Sequence, residues 1–552
     1  MSDQRRRNTV RLSLPDFGSE VEVEGGKTVM EALRLAGLAL ESECGGRATC
    51  GACRVRFLGG APAASVEDKL LLDDDAVAQG WRLACQTTLT DDCRIALPAA
   101  GAGGELRILT EAYGLAEGPP AAAPGRAGAY GAAVDVGTTT VVCYLLDLGH
   151  ARQVDVVSFV NPQCRLGPDV ISRIVYAHQG RDNLLEARRC LVEAVDGALA
   201  TLCAKHRAPL RSFSRITVVG NPTMLHLLRA VDPWPLGVVP YQPVFTEAPP
   251  VAAGEAGFQR LAGAELVLLP GVAGHLGADA VAGVVALGLP RRRGLFLFID
   301  MGTNGEIVLI SEGDAVGASC AAGPAFEGVH ISSGMAALPG AIEWVDEDDG
   351  CLALETIGGV EPRGICGSGL VDAVALLLRR GIVTTAGRLR EPADLPPGLP
   401  PDLRRRLRLD SGGRGFVLYE SGAGPTVTLT QRDVREVQLA KAPIRVGVEV
   451  LLEEVGADPE DVDAVFAAGA FGSSVRADGL VTLGILPAAM AGRIHPVGNV
   501  AGMGAKVTLA SEERLEEARQ LARRIRHVEL MLRQDFQARF ADHIPFPEPT
   551  PV

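Results

Sequence analysis

The sequence lacks any apolar stretch that approaches the roughly 18 to 20 residues of a membrane-spanning helix. Its best candidate, around residues 281–289, is far shorter. No apolar run follows the arginines of the N-terminal MSDQRRRNTV, so we expect no signal peptide. Basic residues are in deficit, since 53 Lys and Arg stand against 67 Asp and Glu, and the net charge of −14 argues against a nucleic-acid partner. We therefore expect a cytoplasmic protein that binds neither membrane nor nucleic acid.

Aromatic residues are scarce, at 4% of the chain, whereas 66 glycines and 35 prolines predict many tight turns. The length of 552 residues exceeds what one hydrophobic core supports, so the chain is expected to form several domains. The twelve cysteines do not have the pattern of a small disulfide-linked secreted domain. Four of them cluster by spacing and the rest are scattered.

Composition divides the chain into four segments. Residues 9–98 contain alternating, strand-like runs around the helical run VMEALRLAGLAL, which predicts a small β-grasp domain. Residues 99–129, with AEGPPAAAPGRAGA, predict a flexible linker. Beyond residue 130, strands alternate with helices in an α/β pattern, and we predict a first lobe or middle domain at 130–212 and a C-terminal domain at 213–552.

The clustered cysteines have the spacing of an iron–sulfur site. Cys44, Cys50 and Cys53 lie in one glycine-rich loop, ECGGRATCGAC, and 31 residues separate the third from Cys85. Four thiolates, three in a loop and one distant, are typical of a [2Fe–2S] cluster. The loop is one residue longer than the plant-type spacing, as in the adrenodoxin-like variant. A structural zinc site is the alternative, but zinc usually takes two paired C-x2-C units and only one is present.

One short motif occurs twice. Residues 135–140 read DVGTTT and residues 300–305 read DMGTNG, and each copy follows a buried strand and precedes another. No Walker-type P-loop is present, so these two hairpins are the candidate phosphate site. Small residues let backbone N–H groups face phosphate, and hydroxyl or amide side chains add donors. The candidate phosphate-binding residues are Gly137, Thr138, Thr139, Thr140, Gly302, Thr303, Asn304 and Gly305.

The carboxylates at the hairpins have a different expected role. Asp135 and Asp300 would be repelled by phosphate, so we expect them to hold Mg²⁺ through water, and one of them to orient the attacking water. Asn221 follows the buried strand ITVVG and is a further candidate to orient that water. We interpret His275 and Asp279, in PGVAGHLGAD, as loop-capping residues, and Cys320 and Cys366 as packing residues.

The paired DxGT hairpins, followed by AGAFGS at 468–473, resemble the superfamily of acetate kinases, sugar kinases, heat-shock chaperones and actin. The resemblance implies a two-lobed, actin-like ATPase fold, duplicated on a ribonuclease H-like pattern. It also implies that the later glycine-rich turn, with Gly469, Gly472 and Ser473, contacts the nucleoside. The fold class is thus multidomain, α+β and α/β, with an N-terminal β-grasp domain.

Further motifs narrow the resemblance. They include NPQCRLGPDVISRI at 161–174, AAGPAFEG at 321–328, ICGSGLVDA at 365–373 and TQRDVREVQLAKAPI at 430–444. With the ferredoxin-type segment, they resemble the reductive activators of corrinoid-dependent methyltransferases. That family implies ATP-dependent return of a corrinoid protein from Co(II) to Co(I). It further implies an upstream electron donor, either a ferredoxin or a flavoprotein reductase, and suggests a homodimer.

Three alternatives stay open. The first is a small-molecule kinase fused to a ferredoxin domain, and the second is an electron-injecting activator of a radical dehydratase. Activators of the latter kind share the ATPase fold but hold a [4Fe–4S] cluster between two subunits. The third alternative is a non-catalytic ferredoxin adaptor, whose activity would not depend on Asp135 and Asp300.

Overall fold

The computed structural model describes residues 9–15, 19–35, 53–59, 61–72, 74–96, 129–410, 413–422, 426–469 and 475–548. These residues divide into two compact units. The first contains the described residues within 1–104 and 160–191, and the second those within 105–159 and 192–552. The predicted linker at 99–129 lies outside the described residues, except for its last position.

The N-terminal part of the first unit is a five-stranded sheet with short helices. The strands are β1 Thr9–Leu14, β2 Ser19–Glu24, β3 Arg54–Gly59, β4 Trp81–Leu83 and β5 Cys93–Ala96, and the helices are α1 Val29–Leu35, α2 Val66–Leu71 and α3 Asp74–Ala78. The strand order is β2-β1-β5-β3-β4, with β1 parallel to β5. Val10, Leu12 and Leu14 of β1 are buried because alternate strand residues share one face. The predicted β-grasp domain is confirmed.

The second unit begins with a six-stranded sheet. Its strands are β6 Tyr130–Val136, β7 Thr140–Asp147, β8 Arg152–Val160, β9 Phe213–Gly220, β10 Val251–Ala252 and β11 Glu265–Leu268. The order is β10-β11-β9-β6-β7-β8. Strands β6 and β7 form an antiparallel hairpin, and β6 also pairs in parallel with β9. Helix α6 Pro222–Leu228 and the later part of α5 Arg181–Lys205 belong to this unit, whereas α4 Val170–His178 and the start of α5 belong to the first unit.

The rest of the second unit contains twelve strands and eight helices among its described residues. The strands are β12 Phe296–Met301, β13 Gly305–Ile310, β14 Ala315–Cys320, β15 Ala341–Asp348, β16 Cys351–Thr356, β17 Gly364–Ile365, β18 Leu407–Asp410, β19 Gly413–Glu420, β20 Thr426–Thr430, β21 Ala464–Gly469, β22 Ile494–Gly498 and β23 Ile525–His527. The helices are α7 Ala278–Ala286, α8 Gly367–Arg379, α9 Pro401–Arg406, α10 Gln431–Val455, α11 Ala477–Thr482, α12 Val500–Ala510, α13 Glu512–Arg524 and α14 Phe536–His543. Within the described part of the chain, no helix has the length and apolar content needed to cross a bilayer.

The second six-stranded sheet repeats the topology of the first. Its order is β22-β21-β12-β13-β14-β23, while the small sheets β16-β15-β17 and β18-β19-β20 stand apart from it. In each large sheet an antiparallel hairpin, β6–β7 in one and β12–β13 in the other, is joined in parallel by a later strand, β9 or β21. The sheets differ at their edges, where the first adds β10 beyond β11 and the second adds β23 beyond β14. Asp135 pairs with Val219 of β9, and Asp300 occupies the same place beside Ala468 of β21. The predicted duplicated, actin-like fold is confirmed.

Candidate functional site

Two of the four predicted cluster cysteines are described, and both are buried. Cys53 precedes β3 and Cys85 follows β4, with 1% and 8% of their surfaces exposed. Ala84 holds the two segments together, because its N–H donates to the carbonyl of Cys53 at 2.8 Å. Cys44 and Cys50 lie outside the described residues. Two buried thiols on adjoining segments fit a cluster that is shielded from water on one side.

The sulfur of Cys85 also receives a hydrogen bond. Nε2 of Gln86 lies 3.6 Å from Cys85 Sγ and donates to it. Donors of this kind stabilise negative charge on a ligand sulfur. Cys93 differs, since burial, together with the nearby Asp92, raises the pKa of its thiol to about 11. Cys93 is therefore a protonated packing residue of β5 at neutral pH.

The first DxGT hairpin is a tight turn between β6 and β7. The N–H of Gly137 donates to the carbonyl of Thr140 at 2.9 Å, which closes the turn. Nδ2 of Asn221 donates to Thr138 Oγ1 at 3.0 Å, while its Oδ1 caps α6 by accepting from the N–H of Met224. The structure thus brings Asn221 to the tip of the hairpin, although the two lie 83 positions apart.

The second hairpin, between β12 and β13, has a different partner. The N–H of Gly302 donates to the carbonyl of Asn304 at 3.0 Å. Both the N–H and the hydroxyl of Thr303 donate to one oxygen of Glu327, at 2.6 and 2.7 Å. Glu327 ends the single turn Pro324–Glu327 that follows β14. This carboxylate was not among the predicted site residues.

Five carboxylates gather near the two hairpins. Burial raises the pKa of Asp135 and of Asp279 to about 6, and that of Asp300 to about 7. The charges of Asp279, Asp135 and Glu327 raise the pKa of Asp300 further. The pKa of Glu306, which faces Asp300 across the β12–β13 pair, is also raised by burial and then by its acidic neighbours. Such mutual repulsion means that the five groups share one acidic site.

The five carboxylates do not by themselves form a metal-binding site. Within the described ranges, no set of three or more His, Cys, Asp or Glu side chains is arranged to hold a metal ion. The interpretation of Asp279 as a capping residue is incomplete, because Asp279 accepts from the N–H of Ala280 but also adjoins Asp135 and Asp300.

Asn499 adds a polar contact to the first carboxylate. Its Nδ2 donates to Asp135 Oδ2 at 2.8 Å, and its Oδ1 accepts from the N–H of Gly502 to cap α12. Helix α12 packs very closely, since a side chain at Gly504 would overlap the carbonyl of Ala282 in α7. The sequence GNVAGMG therefore marks a close helix contact as well as a turn.

The predicted nucleoside turn begins at the end of β21. Gly469 has a φ of 109°, and a Cβ there would overlap the carbonyl of Met301 next to the second hairpin. Gly472 and Ser473 lie outside the described residues. Arg476, just before α11, has its guanidinium 5.7 Å from the ring of Trp344.

Acidic residues on two other elements hold Arg476. Its Nε lies 3.3 Å from Asp372 of α8, and Nη1 lies 2.5 Å from Asp346 of β15. Asp372 is fully buried, and this burial raises the pKa of its carboxyl to about 7 despite the nearby cation. The segment after the predicted nucleoside turn is thus fixed to the rest of the second unit.

The remaining candidates are packing residues. The thiol of Cys320 donates to the carbonyl of Gly305 at 3.5 Å, and that of Cys366 to the carbonyl of Ile342 at 3.3 Å. Burial raises the pKa of both thiols. The ring of His275 lies 5.0 Å from that of Tyr241, and burial lowers the pKa of the imidazole.

The fold and these sites define an iron–sulfur protein joined to an actin-like ATPase. Three family profiles match the chain: a 2Fe-2S iron-sulfur cluster binding domain over residues 15–90, the RACo middle region over 130–292, and the C-terminal domain of RACo, the ASKHA domain, over 294–551.

Two curated relatives match over most of their length. The corrinoid activation enzyme RamQ of Eubacterium limosum is 34% identical over 405 residues, which are 73% of this chain and 68% of that protein. The Co(II) methylated amine-specific corrinoid protein reductase of Methanosarcina barkeri is 26% identical over 434 residues, covering 73% of this chain and 74% of the relative.

A solved structure matches almost the whole chain. It is that of a reductive activator for corrinoid, iron–sulfur protein, with a TM-score of 0.68, 29% identity, and 98% of each chain covered. The chain belongs to the RACo family of corrinoid activators. The resemblance drawn from the sequence motifs is confirmed.

Proposed function

We propose that this protein is an ATP-dependent reductive activator that returns a corrinoid protein from Co(II) to Co(I) by electron transfer through a [2Fe–2S] cluster. The observation that carries the proposal is the union, in one chain, of a [2Fe–2S] domain with a duplicated ATPase fold whose two DxGT hairpins adjoin one acidic site. Membership of the RACo family supports the same function.

The cluster is held by Cys44, Cys50, Cys53 and Cys85. When bound, it supplies one-electron transfer at low potential. The chain's own contribution is to bury Cys53 and Cys85, and to direct the Gln86 amide at the sulfur of Cys85. The predicted linker at 99–129 lets the domain approach first its electron donor and then the cobalt site.

The nucleotide is placed by the two hairpins. Their backbone N–H groups and the hydroxyls of Thr138 and Thr303 contact the phosphates, and the turn with Gly469, Gly472 and Ser473 contacts the nucleoside. Asp135 and Asp300 hold Mg²⁺ through water, which neutralises part of the phosphate charge. Asn221, held at the tip of the first hairpin, orients the attacking water.

Energetics explain the need for ATP. Plant-type clusters have potentials near about −400 mV, and the Co(II)/Co(I) couple is expected to be lower. A gap of about 100 mV costs about 2.3 kcal/mol for one electron, since 59 mV changes the equilibrium tenfold. ATP-driven conformational change supplies this energy by altering cobalt coordination or by releasing the reduced partner.

The partners follow from this role. We propose a corrinoid protein as electron acceptor, a ferredoxin or flavoprotein reductase as electron donor, a homodimeric assembly and a cytoplasmic location. We also propose the domain boundaries at 9–98 and 99–129. The predicted division between 130–212 and 213–552 would separate β9, β10 and β11 from the sheet to which they belong.

The test is reduction of a Co(II) corrinoid protein, followed by its visible spectrum with and without ATP. We expect Co(I) to accumulate only with ATP, Mg²⁺ and a low-potential reductant. If Co(II) is reduced equally well without nucleotide, then electron transfer is not coupled to ATP and that part of the proposal is wrong. ATP turnover that phosphorylates a sugar or an acid, with no effect on cobalt, would favour the fused kinase instead.

A further inference from the structure

The tip of the second hairpin already has an anionic partner. One oxygen of Glu327 accepts both the N–H and the hydroxyl of Thr303, at 2.6 and 2.7 Å. A Cβ on Gly302 would lie only 3.3 Å from the same oxygen, so the carboxylate lies against the backbone of the turn. This arrangement, an anionic oxygen held by a backbone N–H and a hydroxyl, is how a hairpin of small residues holds a phosphate oxygen.

The donors of Thr303 are the ones that the proposed function assigns to phosphate. Each of the two hydrogens makes one strong hydrogen bond, so a carboxylate and a phosphate oxygen cannot use both at once. The two anions also repel each other at this distance. Glu327 also lies close enough to the other acids for its charge to raise the pKa of Asp300 and of Glu306.

Glu327 lies on a segment that is tied to the hairpin at a second point. The N–H of Gly323 donates to the carbonyl of Thr303 at 2.9 Å. Gly328, which follows Glu327, has a φ of 79°, and a Cβ there would overlap the carbonyl of Met335. The glycine is required because this left-handed conformation and close approach exclude a side chain. The segment therefore has a well-defined shape.

The far end of the segment contacts helix α10. The N–H and hydroxyl of Ser332 both donate to Asp433 Oδ1, at 2.7 and 3.0 Å. The other oxygen of Asp433 completes the capping box of α10 with Thr430. Residues 323–335 thus join the tip of the phosphate hairpin to the start of a 25-residue helix.

We propose that Glu327 competes with a nucleotide phosphate for the donors of Thr303, and that its displacement shifts residues 323–335 against α10. Glu327 is thus a positioning residue that connects nucleotide occupancy to the conformation of the second unit. This inference rests on the proposed function, since it takes the second hairpin as a phosphate site.

The first test compares two matched variants in the full-length protein. Glu327→Gln keeps the length and an acceptor oxygen but loses the charge, so it competes less well. Glu306→Gln makes the same replacement at another carboxyl of the same acidic site, and the described contacts of Glu306 include none with Thr303. Calorimetric titration with Mg²⁺ and the non-hydrolysable analogue AMP-PNP should show tighter binding by Glu327→Gln, roughly tenfold beyond any gain in Glu306→Gln.

If both variants bind AMP-PNP more tightly by the same factor, the effect arises from the change in the acidic site as a whole, and the inference is overturned. Weaker binding by Glu327→Gln would also overturn it, because Glu327 would then support the nucleotide. Failure of the wild type to bind AMP-PNP would instead refute the proposed ATPase function itself.

A second measurement needs no variant. Hydrogen exchange of the wild-type protein should show faster exchange over residues 323–335 when AMP-PNP and Mg²⁺ are bound, because the contacts of Glu327 with Thr303 are lost. Protection or unchanged exchange across this segment, with binding verified in the same sample, would overturn the inference.

Discussion

The side-chain amide of Asn499 donates a hydrogen bond of 2.8 Å to the carboxylate of Asp135, although the two residues are 364 positions apart. Asp135 comes from the first large sheet, and Asn499 begins α12 directly after a strand of the second. The bond thus connects the two halves of the duplicated fold at the acidic site. It also lowers the pKa of Asp135 against the opposing effect of burial.

The two hydrogen bonds of Asn499, to Asp135 and to the N–H of Gly502, can be tested separately by substitution. Asn499→Ser keeps a good N-cap for α12, but it loses the amide that holds Asp135. We expect ATP turnover to fall roughly tenfold, the effect of losing about 1.4 kcal/mol from a charge-assisted bond, with little change in melting temperature. Asn499→Asp, which also caps helices, adds a like charge and should lower turnover further. Wild-type turnover by Asn499→Ser would contradict this role.

The cysteine ligands are testable against a control in the same domain. We expect Cys53→Ser and Cys85→Ser to lose the visible absorbance of the [2Fe–2S] cluster, because each removes one of four thiolates. Cys93→Ala should keep the absorbance, since Cys93 is a buried, protonated thiol of β5. Spectra of the purified proteins decide the matter. Loss of absorbance in Cys93→Ala alone would contradict the ligand assignment.

We expect the hydrogen bond from Gln86 to Cys85 to set part of the reduction potential of the cluster. Without this donor, the extra negative charge of the reduced cluster is less well stabilised, so Gln86→Leu should make the potential more negative. A bond of about 1 kcal/mol corresponds to roughly 40 mV for one electron. The measurement is a redox titration followed by EPR, with the exposed Gln79→Leu as control. A shift of the same size in both variants would contradict the assignment.

Asp372 makes stability depend on pH. Because its pKa is raised to about 7 in the folded protein, the folded state binds more protons than the unfolded state between about pH 4 and pH 7. Its contribution to stability therefore decreases as pH rises through that range. We expect the melting temperature of Asp372→Asn, relative to wild type, to increase from pH 5 to pH 8.

A control for this effect lies on the same arginine. Asp478 also pairs with Arg476, at 3.4 Å, but its side chain is 57% exposed. Asp478→Asn should therefore change the pH dependence of the melting temperature much less than Asp372→Asn does. The same pH trend in both variants would assign the effect to Arg476 and not to the burial of Asp372.

The hairpins and the β-grasp domain could be predicted because their signals are local. Apolar runs such as LFLFID end at an acid and a glycine, and strand alternation in β1 places Val10, Leu12 and Leu14 on one face. Glu306 could also have been predicted as a site residue, because it is an ionisable residue at the start of the buried strand EIVLIS.

The partners of the hairpins could not be predicted in the same way. The contacts of Asp135 with Asn499, and of Thr303 with Glu327, depend on how separate elements pack. No sequence motif links the two residues of either pair. Asn221 was identified only by its place after a buried strand, and the structure gives its hydrogen bond to Thr138. Asp279 was assigned to its own loop because nothing in its local sequence points to the acidic site.

The central claim is that ATP hydrolysis is coupled to electron transfer through the cluster. It is tested by measuring Co(I) formation and ATP hydrolysis together for wild type, Cys85→Ser and Asp300→Asn, with a Co(II) corrinoid protein and a low-potential reductant. We predict that Cys85→Ser hydrolyses ATP without forming Co(I), and that Asp300→Asn keeps a reducible cluster but forms neither product. Formation of Co(I) by Asp300→Asn at the wild-type rate would contradict the account.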